Sequence, residues 1–128
     1  MDQNQQRFVQ AFWVKCRETI RPELDAVARD LHSAGHDSAV STQEYSERPD
    51  HLPAAVVPSL TLALRPRGPA EGIVPPAIEF HGDVARSKIE VRTSAGHARA
   101  YDLDGLDTRA VKQEIHEWLG HLITASPV

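Results

Sequence analysis

Ala77-Ile78-Glu79-Phe80-His81-Gly82-Asp83-Val84-Ala85-Arg86-Ser87-Lys88-Ile89-Glu90-Val91-Arg92-Thr93 reads as two strands joined by a turn. Ile78 and Phe80 alternate with Glu79 and His81, and Ile89 and Val91 alternate with Lys88, Glu90 and Arg92. Successive side chains of a strand point to opposite faces, so each run has one apolar and one polar side. Gly82 to Ser87 supplies the turn, and the pair is predicted to be a hairpin. A sheet with one apolar face needs cover on that face, and the flanking chain must provide it.

Upstream, Leu60, Leu62 and Leu64 alternate with Thr61, Ala63 and Arg65, a third strand ended by Pro66. His36 to Tyr45, rich in Ser, Thr and Val, is a weaker candidate. Ser46 to Pro58 and Pro66 to Pro76 are proline-punctuated loops. Downstream, Ser94-Ala95-Gly96 turns the chain into a short strand near Ala98 to Leu103.

Two helical patterns flank these strands. From about Gln6 to Ala34 the stripe Val9, Trp13, Cys16, Ile20, Leu24, Val27 and Leu31 steps by three or four residues. Gly35 suits a left-handed C-terminal position. Pro22 interrupts the pattern without breaking its phase, which predicts one kinked helix, with residues 1–5 frayed before it. The second helix begins at Asp107 or Thr108, with Leu106 and Val111 placed as a hydrophobic staple. Val111, Ile115, Trp118 and Leu122 share its apolar face, and Leu119 widens it. The predicted fold is α+β: residues 1–128 form a single domain with an antiparallel sheet of four to five strands. A long N-terminal helix and a C-terminal helix pack on one face of that sheet.

The first helix is long for its platform. Nearly thirty residues span about 43 Å at 1.5 Å each, whereas five strands cover about 24 Å. Phe8, Phe12 and Trp13 fall on the part expected to overhang, and exposed they would form a patch that soluble monomers avoid. The expectation is therefore an interface at Phe8, Phe12 and Trp13, in a homodimer or small protein complex. The alternative is a kink at Pro22 that folds the N-terminal half onto its own core.

Composition narrows the function classes. With 41% apolar and 25% charged residues the chain is globular and not disordered. A net charge of −4 argues against a general nucleic-acid binder, which needs concentrated basic surface. A lone cysteine, Cys16, cannot form an intrachain disulfide, and a reducing compartment is the simpler reading. No apolar run reaches the ~18 residues of a membrane span. Met1 to Gln6 has neither the basic start nor the apolar stretch of a secretory signal, and a cytoplasmic location is expected. In size, acidity and layout the chain is loosely similar to small bacterial secretion chaperones, without a shared motif and without their middle helix.

No motif assigns chemistry. His32 and His36 are four apart, but Gly35 ends the helix between them. His116 and His121 are five apart, about 140° around a helix, too far for one zinc ion to be gripped from one face. His81 with Asp83 is the most plausible catalytic pair, a base and a carboxylate to orient it. A turn position explains Asp83 equally well. Cys16 lies in the apolar stripe and reads as a small buried hydrophobe. Arg65, Lys88 and Arg92 on the polar sheet face could read an anion, but Glu79 and Glu90 dilute them, and a solvated face of ion pairs is the default. No cofactor and no metal is expected. The leading expectation is a non-catalytic protein-binding or adaptor module that self-associates through its N-terminal helix. The alternative is a small hydrolase-like enzyme using His81 and Asp83.

Overall fold

The computed structural model describes residues 3–43, 58–65, 76–94 and 96–125. In chain order the elements are α1 (Gln3–Lys15), a π-helical turn (Cys16–Ile20), α2 (Arg21–Ser33), β1 (Ser38–Gln43), β2 (Ser59–Leu64), β3 (Ala77–Asp83), β4 (Lys88–Thr93), β5 (Ala98–Tyr101) and α3 (Thr108–Ala125). The five strands form one sheet in the order β1-β2-β3-β4-β5, each neighbour antiparallel. The α+β arrangement is as the strand alternation and flanking helices predict. Most of the two proline-rich segments, and the end of the first predicted strand at Glu44 and Tyr45, lie outside the described residues, as do the side chains of His121 and Leu122.

Register sorts the strand residues onto two faces. Leu62 stands between Val40 and Ile78, Phe80 between Leu60 and Val91, and Ile89 opposite Tyr101. These inner residues join the helices in one core with Ile20, Leu24, Val111, Ile115 and Trp118. The α3 start follows the expected chemistry: Asp107 Oδ1 accepts the Ala110 amide at 2.8 Å, and Leu106 and Val111 are both fully buried. At the end of α2, Gly35 has φ +89°, and the amides of Gly35 and His36 close back on the carbonyls of His32 and Leu31.

Boundaries differ in several places, β1 for instance beginning at Ser38 and not His36. The first helix starts at Gln3, three residues before the predicted Gln6. β5 ends at Tyr101, short of Leu103. β3 runs through Gly82 to Asp83, and the hairpin turn is Val84 to Ser87, with Ser87 at φ +54°. Gly82 is a strand residue facing inward. A Cβ built there would lie 3.0 Å from Pro58 Cγ and 3.3 Å from two ring atoms of Phe12. Its missing side chain is the space in which Phe12 sits.

The first helix is continuous across Pro22 because the π turn precedes it. The Arg21 amide donates to the Cys16 carbonyl, a turn one residue wider than in an α-helix. That widening gives the proline ring, at the start of α2, room against the preceding turn. It also sets the phase. The buried residues are Phe8, Phe12, Cys16, Ile20 and Leu24, every fourth position. Four-residue steps drift about 40° each in a regular α-helix, and the slower-winding π turn takes back part of that drift. Val9, Trp13, Val27 and Leu31 lie on the half-buried flank.

This corrects the expected overhang. Phe8 is 4% exposed and Phe12 0%, their rings 6.4 Å apart at their centres, and Trp13 is half-buried, edge-on to Phe12 at 5.1 Å. The helix crosses the sheet obliquely, α2 on β1 and β2 while Phe12 reaches Gly82 of β3. Of the three rings expected to project, Phe8 and Phe12 are covered by their own subunit and Trp13 is covered in part.

Cys16, 4% exposed, has its thiol pushed up to about 12 by burial. A thiolate reagent at neutral pH is expected to label less than a tenth of Cys16 in the native protein within the time that labels it fully in denaturant. Comparable labelling in both conditions would show that this helix face opens readily. Because the folded thiol holds its proton above the unfolded value of 9.0, its contribution to stability is complete below pH 9 and lost as pH rises toward 12.

Candidate functional site

Strand alternation places Glu79, His81 and Asp83 on the outer sheet face, opposite Arg92, Glu90 and Lys88 on β4. His81 does not engage Asp83. Its Nδ1 stands 3.3 Å from Glu79 Oε1. Asp83 instead closes the turn, accepting the Arg86 amide at 3.2 Å, with the Arg86 guanidinium 3.9 Å away. His81 and Asp83 share the outer face, but the imidazole turns back along the strand to Glu79 while the Asp83 carboxylate is taken up by the Arg86 amide of the turn. The catalytic pair expected at a tight turn is therefore not assembled.

The three cations of this face are also dispersed. Lys88 Nζ donates to Asp102 Oδ1 at 2.8 Å, and Arg92 Nε donates to Glu90. That bond, with the charges of Arg92, His81 and Arg86, holds the Glu90 carboxyl below its ordinary range. Arg65 follows the end of β2, next to the start of β3, while Lys88 pairs with the end of β3. They occupy opposite ends of the sheet. The face is a ladder of mutually compensated charges, flanked by Ala39, Ser41, Thr61 and Ala63 on one side and Ala98 and Ala100 on the other.

His32 and His36 likewise hold nothing jointly. His32 Nδ1 stands 3.6 Å from Asp37 Oδ1 with both side chains well exposed, in a shallow hollow where α2 meets β1. His116 is exposed on α3.

A denser polar constellation lies between β5 and α3, on the inner face. Alternation along His97, Arg99 and Tyr101 directs three polar side chains inward, with Ala98 and Ala100 outward. On α3, Glu114 and Glu117 are three apart and share a face. Glu114 is only 1% exposed, and an ionisable side chain so buried needs partners. Arg99 Nη1 donates to its Oε1 at 3.0 Å, and the Tyr101 hydroxyl donates to the same oxygen. The other Arg99 nitrogen, Nη2, is 4.0 Å from Glu117 Oε2. Burial, and next the Glu114 carboxylate, push the Tyr101 hydroxyl above its ordinary value, keeping it a proton donor. One ligand atom from each of His97, Glu114 and Glu117 lies within 4.8 Å of the other two.

Comparison with family models, with curated proteins and with solved structures gives no match to this chain. Geometry alone carries its functional reading. The sequence does contain a signal for the β5–α3 constellation. A strand whose alternate residues are alanine on one side and His, Arg and Tyr on the other has an inward polar face. Only knowledge of which side α3 covers turns that signal into a site.

Proposed function

We propose that the protein is a non-catalytic protein-binding or adaptor module that takes its partner on the outer face of the sheet. One observation carries this: every described helix packs on the inner face, so among the described residues no element covers the outer one. Short side chains at Ala39, Ser41, Thr61 and Ala63 leave the β1–β2 part of that face open beside the charged ladder. The alternating charges of Glu79, His81, Glu90 and Arg92 could fix the register of a complementary partner, since charge pairing contributes specificity more than raw affinity. The hydrolase alternative has no assembled His81–Asp83 pair behind it. Among the described residues no helix is long and apolar enough to cross a membrane.

Self-association through the N-terminal helix loses most of its aromatic basis with Phe8 and Phe12 in the core. Trp13, half-buried, and Val14, 41% exposed, are what that helix offers a second copy. Light scattering on a sizing column, applied to the wild type, Trp13→Glu and Thr61→Arg, tests both surfaces. A mass above one chain that falls to one chain in Thr61→Arg assigns the contact to the sheet face, and in Trp13→Glu to the helix. One-chain mass in all three removes self-association and leaves a different protein as the partner. Turnover in a hydrolase panel that disappears in His81→Ala would overturn the non-catalytic reading.

A further inference from the structure

We propose that His97, Glu114 and Glu117 form a binding site for a divalent metal ion of the zinc class. Three carboxylate and imidazole ligand atoms within 4.8 Å of one another are a starting point only, since acidic groups often cluster without an ion. The second observation is the pattern of unmet hydrogen bonding. Among the described residues, four buried side-chain polar atoms lack a partner: Thr93 Oγ1, His97 Nε2, Glu114 Oε2 and Trp118 Nε1. All four come from one corner of the fold. Thr93 and His97 face each other where β4 turns toward β5, with the Thr93 amide on the His97 carbonyl at 2.9 Å. Trp118 lies one turn beyond Glu114 on the buried face of α3.

An unpartnered carboxylate oxygen on a residue 1% exposed is costly, and the neighbouring His97, which offers a ligand atom within 4.8 Å of one from Glu114, also carries an unpartnered ring nitrogen. Arg99 and Tyr101 both engage Oε1 of Glu114, which fixes the carboxylate and leaves Oε2 buried with its lone pairs unused. Two carboxylates against one guanidinium leave this cluster a negative charge unmatched. A divalent cation would take lone pairs of Glu114 and His97 and offset the excess charge; the Trp118 indole N–H, a donor only, is not answered by it.

The donor set selects the class of ion. One imidazole with two carboxylates suits zinc-like borderline metals, whereas magnesium and calcium favour all-oxygen sites. Ligand atoms in a tetrahedral zinc site stand about 3.4 Å apart, so the cluster must close modestly on the ion. Glu117, 39% exposed and only loosely paired with Arg99, is the side chain free to swing inward. Three protein ligands leave a fourth position for water. The site lies on the inner side of the sheet and does not depend on the docking face proposed above.

The test is calorimetric titration of chelator-stripped protein with Zn2+ alone, alongside His97→Ala, Glu117→Gln and Glu114→Gln, with circular dichroism to verify the fold of each. Expected is saturable uptake of one ion per chain, weakened tenfold or more in His97→Ala and Glu117→Gln. A rise in thermal midpoint on adding Zn2+ should appear in the wild type and be lost in both variants. No saturable uptake by the wild type would overturn the site. So would uptake of equal strength in the folded variants, which would place the ion on other histidines of the seven in the chain.

Discussion

Phe12→Ala is expected to lower stability by about 3–5 kcal/mol, as removal of a buried aromatic ring generally does, and to leave the mass of the native particle unchanged. The ring is fully buried, with Phe8 and Trp13 beside it and the backbone of Gly82 beneath it. Truncation leaves a cavity roofed by a helix and floored by a strand, two elements that cannot easily collapse on it. Urea unfolding followed by circular dichroism reads the loss, and light scattering reads the mass. The two measurements separate core from interface. A small stability change with a fall in mass would mean that the ring belongs to a contact between chains and that the packing described above is wrong.

Gly82→Val should cost about 1–3 kcal/mol, the usual range for overpacking a filled interior. In an open strand the same change would be favourable, because glycine weakens strands and valine suits them. Space reverses the sign here. The first added carbon meets Pro58 Cγ at 3.0 Å, and that ring is held by the Gly82 amide, which donates to the Pro58 carbonyl at 2.8 Å. Phe12, the other neighbour at 3.3 Å, is fully enclosed and cannot turn aside. The two changes should therefore be non-additive: in a Phe12→Ala background the vacated ring volume accepts the valine, and Gly82→Val should cost less by at least about 0.5 kcal/mol, the lower end of coupling between touching residues. Additive losses in the denaturation cycle would show that the glycine does not accommodate the ring.

Much of the architecture is legible in residue order. Alternation at Leu60–Leu62–Leu64, Ile78–Phe80 and Ile89–Val91 identifies the strands and their inner faces, because a strand has only two sides. Asp107, Leu106 and Val111 mark the start of α3, and Gly35 the end of α2, because capping is satisfied within a few residues of chain. The site was less legible. His81 and Asp83 attract attention as neighbours in sequence, yet each turns to a different partner. His97, Arg99, Tyr101, Glu114 and Glu117 are spread over two elements and come together only when α3 crosses β5.

What residue order determined by itself, then, is local periodicity: five extended segments, two amphipathic helical ends, and the apolar side of each strand. The tertiary structure decided the rest. Helix rotation is the clearest instance, since the stripe through Val9 and Trp13 and the stripe through Phe8 and Phe12 both fit a helical period. The choice between them was made by a notch at Gly82, some seventy residues away, deep enough to receive an aromatic ring. A helical repeat specifies only that a face is apolar, whereas which face turns inward depends on the shape of the surface it meets.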